Sequence, residues 1–221
     1  MINLEQNLRY IDNHSVETVL LITALVCLTI AKFKNEQKFH SFIMLFINYK
    51  YLKIYSKEHG QTTSTFNLLL FIPQLIAYAL VLWVALPYFN PQHQINFYLI
   101  LPFLILFILF KFYLEKLIAT IFDINKFTES FHFHKVTYRN LSSLLLLPLI
   151  SLFIYSNLNS KIALYAILFC FCLLNVIAFV LTLRNHQKLI QKHLFYFILY
   201  LCTLEIAPYL ILLKFYFIDK V

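Results

Sequence analysis

Few side chains in this sequence are of types that could do chemistry, and their spacing narrows the choice further. Glu205 is the one acidic residue deep within an apolar run, LFYFILYLCTLEIAPYLILLKFYF, and Pro208 follows it by three residues. A carboxyl group in hydrocarbon costs about 3 kcal/mol and needs a partner or a proton to stay there. Pro208 has no N–H, so the carbonyl of Leu204 loses its helical donor, and a protonated Glu205 could donate to such a carbonyl. By a rise of about 1.5 Å per residue, Gln74, Tyr78, Lys111 and Asn175 fall within about 10 Å of the depth of Glu205. Five polar groups from four apolar runs could therefore form one buried layer. As a structural or docking layer, each bridging side chain would contribute about 0.6–2 kcal/mol. As a proton or ion site, Glu205 would titrate beside Lys111 as counter-charge. The first reading is favoured, because proton-coupled carriers usually have several intramembrane acids, inverted repeats or glycine-broken helices. Here Gly60 is the only glycine.

The remaining reactive types point to no reaction. His132 and His134 form H-x-H, and His186 and His193 are seven apart, on one face of a helix. None of the eight histidines is mid-span, and no carboxylate or thiol completes a site, so neither haem nor metal is expected. Cys27, Cys170, Cys172 and Cys202 lie in apolar runs, where thiols behave as small hydrophobes, and Cys170 and Cys172 point roughly 200° apart around a helix. There is no Ser/His/Asp set, paired carboxylate or H-E-x-x-H. With one glycine there is also no phosphate-binding loop, dinucleotide fingerprint or G-x-x-x-G crossing. No catalytic residue, cofactor or metal is expected, and the chain reads as a non-enzyme.

The elements that carry these residues are set by an unusual composition. Of 221 residues, 61% are hydrophobic and 13% charged, against about 45–50% hydrophobic for a soluble domain. The expectation is an all-α membrane protein, a single polytopic domain over residues 1–221. Apolar runs at about 16–33, 66–88, 97–117, 141–155, 162–183 and 194–217 give six transmembrane helices. The fourth is short, so it starts earlier or runs steeply. The polar start, MINLEQNLRYIDNHS, lacks the basic region and cleavage site of a signal peptide. Fourteen of the 18 Lys and Arg residues fall in or beside the first, third and fifth connections. Those connections are therefore expected to be cytoplasmic, with both termini outside.

Two connections are patterned. In FHSFIMLFINYKYLKIYSK, apolar residues near helical spacing and Lys50, Lys53 and Lys57 towards one end predict a cytoplasmic interfacial amphipathic helix over about 39–55. A weaker pattern covers about 122–138, where Phe127 and Phe131 are one turn apart. The formal net charge of +8 then reflects attraction to anionic lipid headgroups, not nucleic acid, because the lysines sit among membrane-anchored aromatics.

The last apolar run carries a resemblance. Phe195 to Pro208, followed by Lys214, resembles the signature F-x-x-I-L-Y-L-C-T-L-E-I-x-P of a Bacteroidota integral-membrane family known as domain of unknown function 4271. Ile121-Phe122, Glu129 and Leu144 to Pro148 are similar too, as is the lysine-rich aromatic segment after the first span. The likeness runs from about residue 16 onward. It implies a multi-pass protein of the bacterial inner (cytoplasmic) membrane, assigns no reaction, and gives weight to Glu205, Cys202 and Pro208. The function expected is an accessory or scaffold subunit of a larger envelope or protein-export complex, with the bilayer and other integral membrane proteins as partners. The alternative is a small proton-linked transporter.

Overall fold

The computed structural model describes residues 15–46, 48, 50–55, 64–89, 97–121, 125–156 and 161–185. Among them are seven α-helices and one 3-10 turn, with no strand: α1 Ser15–Lys34, α2 Glu36–Ile43, the turn Met44–Phe46, α3 Lys50–Tyr55, α4 Thr65–Phe89, α5 Phe97–Ile121, α6 Asn125–Tyr155 and α7 Lys161–Asn185. Five of them, α1, α4, α5, α6 and α7, are long and apolar enough to cross a membrane. Helices are the obligatory form here, because in hydrocarbon each backbone N–H and C=O must be satisfied within its own segment. Prolines nonetheless interrupt that ladder inside α4 at Pro73 and Pro87, in α5 at Pro102 and in α6 at Pro148. The sixth span expected at 194–217, which carries Glu205, Cys202 and Pro208, lies outside the described residues.

The helices alternate in direction. Thr18, at the start of α1, meets the hydroxyl of Tyr155, at the end of α6, at 2.6 Å. At the opposite end, Asn185 closes α7 by donating to the hydroxyl of Tyr138, in the first half of α6, at 3.1 Å. One end of the bundle thus gathers the close of α1, α5 and α7 with the start of α4 and α6. It also gathers Lys32, Lys34, Lys53, Lys116 and Arg184, all exposed, whereas Lys161 marks the other end. We refer to the first as the basic end.

α4 is the central strut, packed against α1, α5, α6 and α7. Two apolar clusters are stacked along it. Towards the basic end, Leu70 packs with Ala31, Phe66, Leu141 and Ala178. Towards the other end, Ile76, Ala77, Leu80 and Val81 pack with Leu21, Ala24, Leu146, Leu147, Ile150 and Ile154. On the flank, Leu75 and Ala79 receive Ile100 and Leu104 of α5. The outward faces carry large apolar side chains, such as Phe33, Tyr98, Ile162 and Phe169. That is the pattern of a bundle whose solvent is lipid rather than water.

Two expectations about the connections change. The 39–55 segment is not one continuous helix. α2 and α3 are separate, joined through the 3-10 turn, and their apolar residues go into the protein. Phe42, Leu45, Tyr51 and Leu52 are buried, while Ile43 and Ile54 are exposed. Phe42 meets the rings of Tyr51 and Phe66 edge-on at 5.8 and 6.2 Å, and Tyr51 stacks on Phe133 of α6 at 6.3 Å. Lys38 lies over the rings of Tyr55 and Phe66, at 4.7 and 5.4 Å from their centres. Periodicity reports an apolar face but not whether lipid or protein covers it.

The second change is α6. The fourth span and the segment assigned to 122–138 form one continuous helix of 31 residues from Asn125. At about 1.5 Å per residue it exceeds a hydrocarbon core of about 30 Å, so its polar first half extends past the apolar slab. No glycine or proline lies between Asn125 and Leu147 to stop it. Two of its buried hydroxyls are satisfied within the helix: Thr137 donates to the carbonyl of Phe133, and Ser143 to that of Asn140, each at 2.7 Å.

Candidate functional site

The most highly charged buried site among the described residues lies where α5 and α6 converge. Residues 125–155 return antiparallel along α5 after a connection of three residues, so side chains near the end of one helix face those near the start of the other. There Lys135 Nζ donates to Glu115 Oε1 at 2.7 Å, and His132 Nδ1 lies 2.6 Å from Glu115 Oε2. Both carboxylate oxygens are engaged. The side chains of Glu115, Lys135 and His132 are only 3%, 8% and 15% exposed. Spacing makes this possible: His132 and Lys135 are three apart on α6, on neighbouring positions of one face. Phe112, one turn back from Glu115, packs its ring against His132 at 5.2 Å. Leu114 and Ile118 of α5 and Leu183 of α7 pack around Phe131, the neighbour of His132.

This arrangement corrects the reading of the H-x-H pair. His132 has a carboxylate partner from the preceding span and is not an exposed surface histidine, and His134 is also buried. It also adds Glu115 as a second acid within an apolar span. The residue lies near the end of α5, beside Lys116, which gave it the appearance of a boundary charge. The signal that could have found it is H-x-x-K on one face of α6, opposite a carboxylate on the helix before it. No group of three or more His, Cys, Asp or Glu side chains suited to a metal occurs among the described residues.

The residues expected in a polar layer are distributed as follows. Tyr78 of α4 donates to Asn175 Oδ1 of α7 at 2.9 Å, and Asn175 Nδ2 donates to the carbonyl of Phe171 at 2.8 Å. The Phe171 ring packs edge-on against Tyr78 at 5.0 Å. Gln74, one turn before Tyr78, is fully buried, and neither of its amide atoms has a hydrogen-bond partner among the described residues. Lys111 is buried on α5, one turn before Glu115. Lys50 opens α3 and Lys53 is exposed on it. Glu205, Pro208, Cys202, Lys57, His186 and His193 lie outside the described residues. Cys27, Cys170 and Cys172 are free thiols, none of them fully buried.

Chemically, the site is an interhelical ion pair with a histidine on its second oxygen. In a low-dielectric interior, such a pair holds two helices in one register, and losing either partner strands a charge. The helix lengths, their apolarity and this internal use of polar groups define a multi-pass, all-α membrane protein. The chain belongs to the family described as domain of unknown function (DUF4271), which matches residues 18–216. No curated protein and no solved structure matches it.

Proposed function

We propose that this protein is a non-enzymatic subunit of the bacterial inner membrane, an accessory or scaffold within a larger envelope or protein-export complex. The observation that carries this reading is the engagement of both Glu115 oxygens by Lys135 and His132. A carboxylate held from both sides is suited to fixing helix positions, and less so to accepting and releasing a transported ion. The Tyr78–Asn175 bond between α4 and α7 acts in the same sense. The outer faces of α1, α5 and α7 supply long apolar surfaces that lipid or neighbouring membrane helices can cover. The basic end would face the cytoplasm and its anionic headgroups.

The test is a pull-down of the tagged protein from its own membranes after mild solubilisation, with every co-purifying chain identified and its stoichiometry measured. Stoichiometric integral-membrane partners are expected. A monodisperse protein without partners would overturn the reading. A second reading, a small proton-linked transporter, draws on the number of buried ionisable groups: Glu115, Lys111, Lys135 and His134 are all within the bundle. It expects Glu205→Gln to abolish proton-coupled uptake while expression and folding persist. On the scaffold reading, the same variant changes assembly or accumulation instead.

A further inference from the structure

Where α5 and α6 meet, they carry more positive charge than the described carboxylates neutralise. Lys135 pairs with Glu115, and both oxygens of Glu115 are engaged. Arg139 follows Lys135 by one turn on the same face of α6, and Lys111 precedes Glu115 by one turn on the same face of α5. The two helices run antiparallel, so the Glu115–Lys135 bond sets Lys111 and Arg139 at a common level, about 6 Å further from the basic end. Lys111 is 7% exposed. Arg139 Nε is buried without a hydrogen-bond partner, and no carboxylate pairs with its guanidinium among the described residues. Two cations at one level of a low-dielectric interior call for an anion.

So closed a site leaves no room for a hydrated ion, so the anion has to be a side chain. Of the ten acidic residues, Glu17, Glu115 and Glu205 lie within apolar runs. Glu115 is already held. Glu17 sits in the first turn of α1, at the opposite end of the bundle. Glu36 and Glu129, near the basic end, are exposed. Glu205 is the acid that remains.

The path of the chain leads to the same place. Leu114 and Ile118 of α5 and Leu183 of α7 pack on Phe131, so the α6 face that carries Phe131, Lys135 and Arg139 at successive turns lies between α5 and α7. α7 ends at Asn185, at the basic end, and the apolar run 194–217 follows after a short connection. Elements consecutive in sequence usually pack as neighbours, and the groove beside α7 is the first that the run meets. Depth agrees as well. At about 1.5 Å per residue, Glu205 stands about 17 Å along a helix that starts near Leu194, and Lys111 about 15 Å from the end of α5.

We infer that the segment 194–217 docks in the groove between α5 and α7, with the Glu205 carboxylate as the counter-charge shared by Lys111 and Arg139. The inner site repeats the outer one: a carboxylate held by basic side chains, one turn further into the bundle. It fixes the last span against α6 as Glu115 fixes α5. The contact is within one chain, so it is independent of whether the protein serves as a scaffold or a carrier.

The test uses full-length protein in its membranes and leaves Glu205, Lys111 and Arg139 in place. Cys202, one turn before Glu205, is kept while the other three cysteines are replaced, and Leu114→Cys is introduced on the groove side of α5. A short bifunctional methanethiosulfonate is expected to cross-link positions 114 and 202 within one chain, several-fold more than a Val26→Cys control on the outward face of α1. Equal cross-linking of the two pairs, none at 114, or a link only between two chains would overturn the docking. Charge gives a second readout. Arg139→Met should lower the melting temperature in detergent in the wild-type background, where it removes a bond to Glu205. In a Glu205→Gln background it should raise it, because it then removes one of two cations left without their anion. The same loss in both backgrounds would overturn Glu205 as the counter-charge, and so would a melting temperature that rises with added phosphate in the wild type, which would assign the site to a bound anion.

Discussion

Glu115 is buried in a bundle whose surroundings are lipid, and what stabilises its charge is therefore its two partners rather than water. Removing one partner of such a set leaves the other charge stranded, at about 3–5 kcal/mol, whereas replacing both by apolar groups of similar volume is often neutral or better. Glu115→Gln and Lys135→Met should thus each lower thermal stability in detergent markedly, and the Glu115→Leu/Lys135→Met double substitution should recover most of the loss. A double-mutant cycle read by thermal unfolding checks this, and additive losses would show that the pair is uncoupled. Gln74→Met offers a contrast. Its amide is fully buried with no hydrogen-bond partner among the described residues, so removing it should relieve a desolvation cost and raise the melting temperature. A fall in the melting temperature would show that the amide is engaged in the membrane. At this scale the sequence was uneven as a guide. Gln74, Tyr78, Lys111 and Asn175 were legible because a polar residue within an apolar run stands out. Glu115 was not, because it lies among charges near a helix end, and its meaning depends on His132 and Lys135 of the next helix.

The α2–α3 segment differs from the spanning helices in what it depends on. Its helices are short, at eight and six residues, too short to be stable alone, so tertiary packing must hold them. Tyr51 is 1% exposed and in ring contact with Phe42, Tyr55 and Phe133. Tyr51→Ala should therefore cost about 3–5 kcal/mol, as expected for a large aromatic lost from a core. Ile54→Ala, at an exposed position of the same helix, should cost little. Thermal unfolding of the two variants in detergent checks the contrast, and equal small losses would mean that the segment rests on lipid after all. The apolar spacing over 39–55 showed that a face existed. What covers it was set by Phe66 and Phe133, remote in sequence, and periodicity holds no information about such contacts. α6 is the complementary case. Its apolar half was legible by hydropathy, but its polar half is helical because protein on several sides buries it, a tertiary effect.

For the whole molecule, the alternation of five long helices brings most of the described exposed lysines and arginines to one end, around Lys32, Lys34, Lys53, Lys116 and Arg184. Antiparallel packing accounts for this on its own terms: Glu115 can meet His132 and Lys135 only if α5 ends where α6 begins. Charge then decides which side of the membrane that end occupies, since short loops rich in Lys and Arg are retained on the cytoplasmic side. The two lines of argument are independent, one from contacts and one from insertion energetics, and both require every second connection to share a side. Single cysteines at Lys34 and Lys116, on the basic end, and at Ser156, on the other, separate the possibilities, because all three positions are exposed. In intact spheroplasts a membrane-impermeant maleimide should label the Ser156→Cys protein, and label the Lys34→Cys and Lys116→Cys proteins only after permeabilisation. The opposite pattern would keep the helix arrangement and invert its orientation. Labelling of Lys34→Cys and Lys116→Cys from different sides would contradict the packing of α1, α4 and α5, because those helices can carry both positions to one end only by crossing the bilayer in strict alternation.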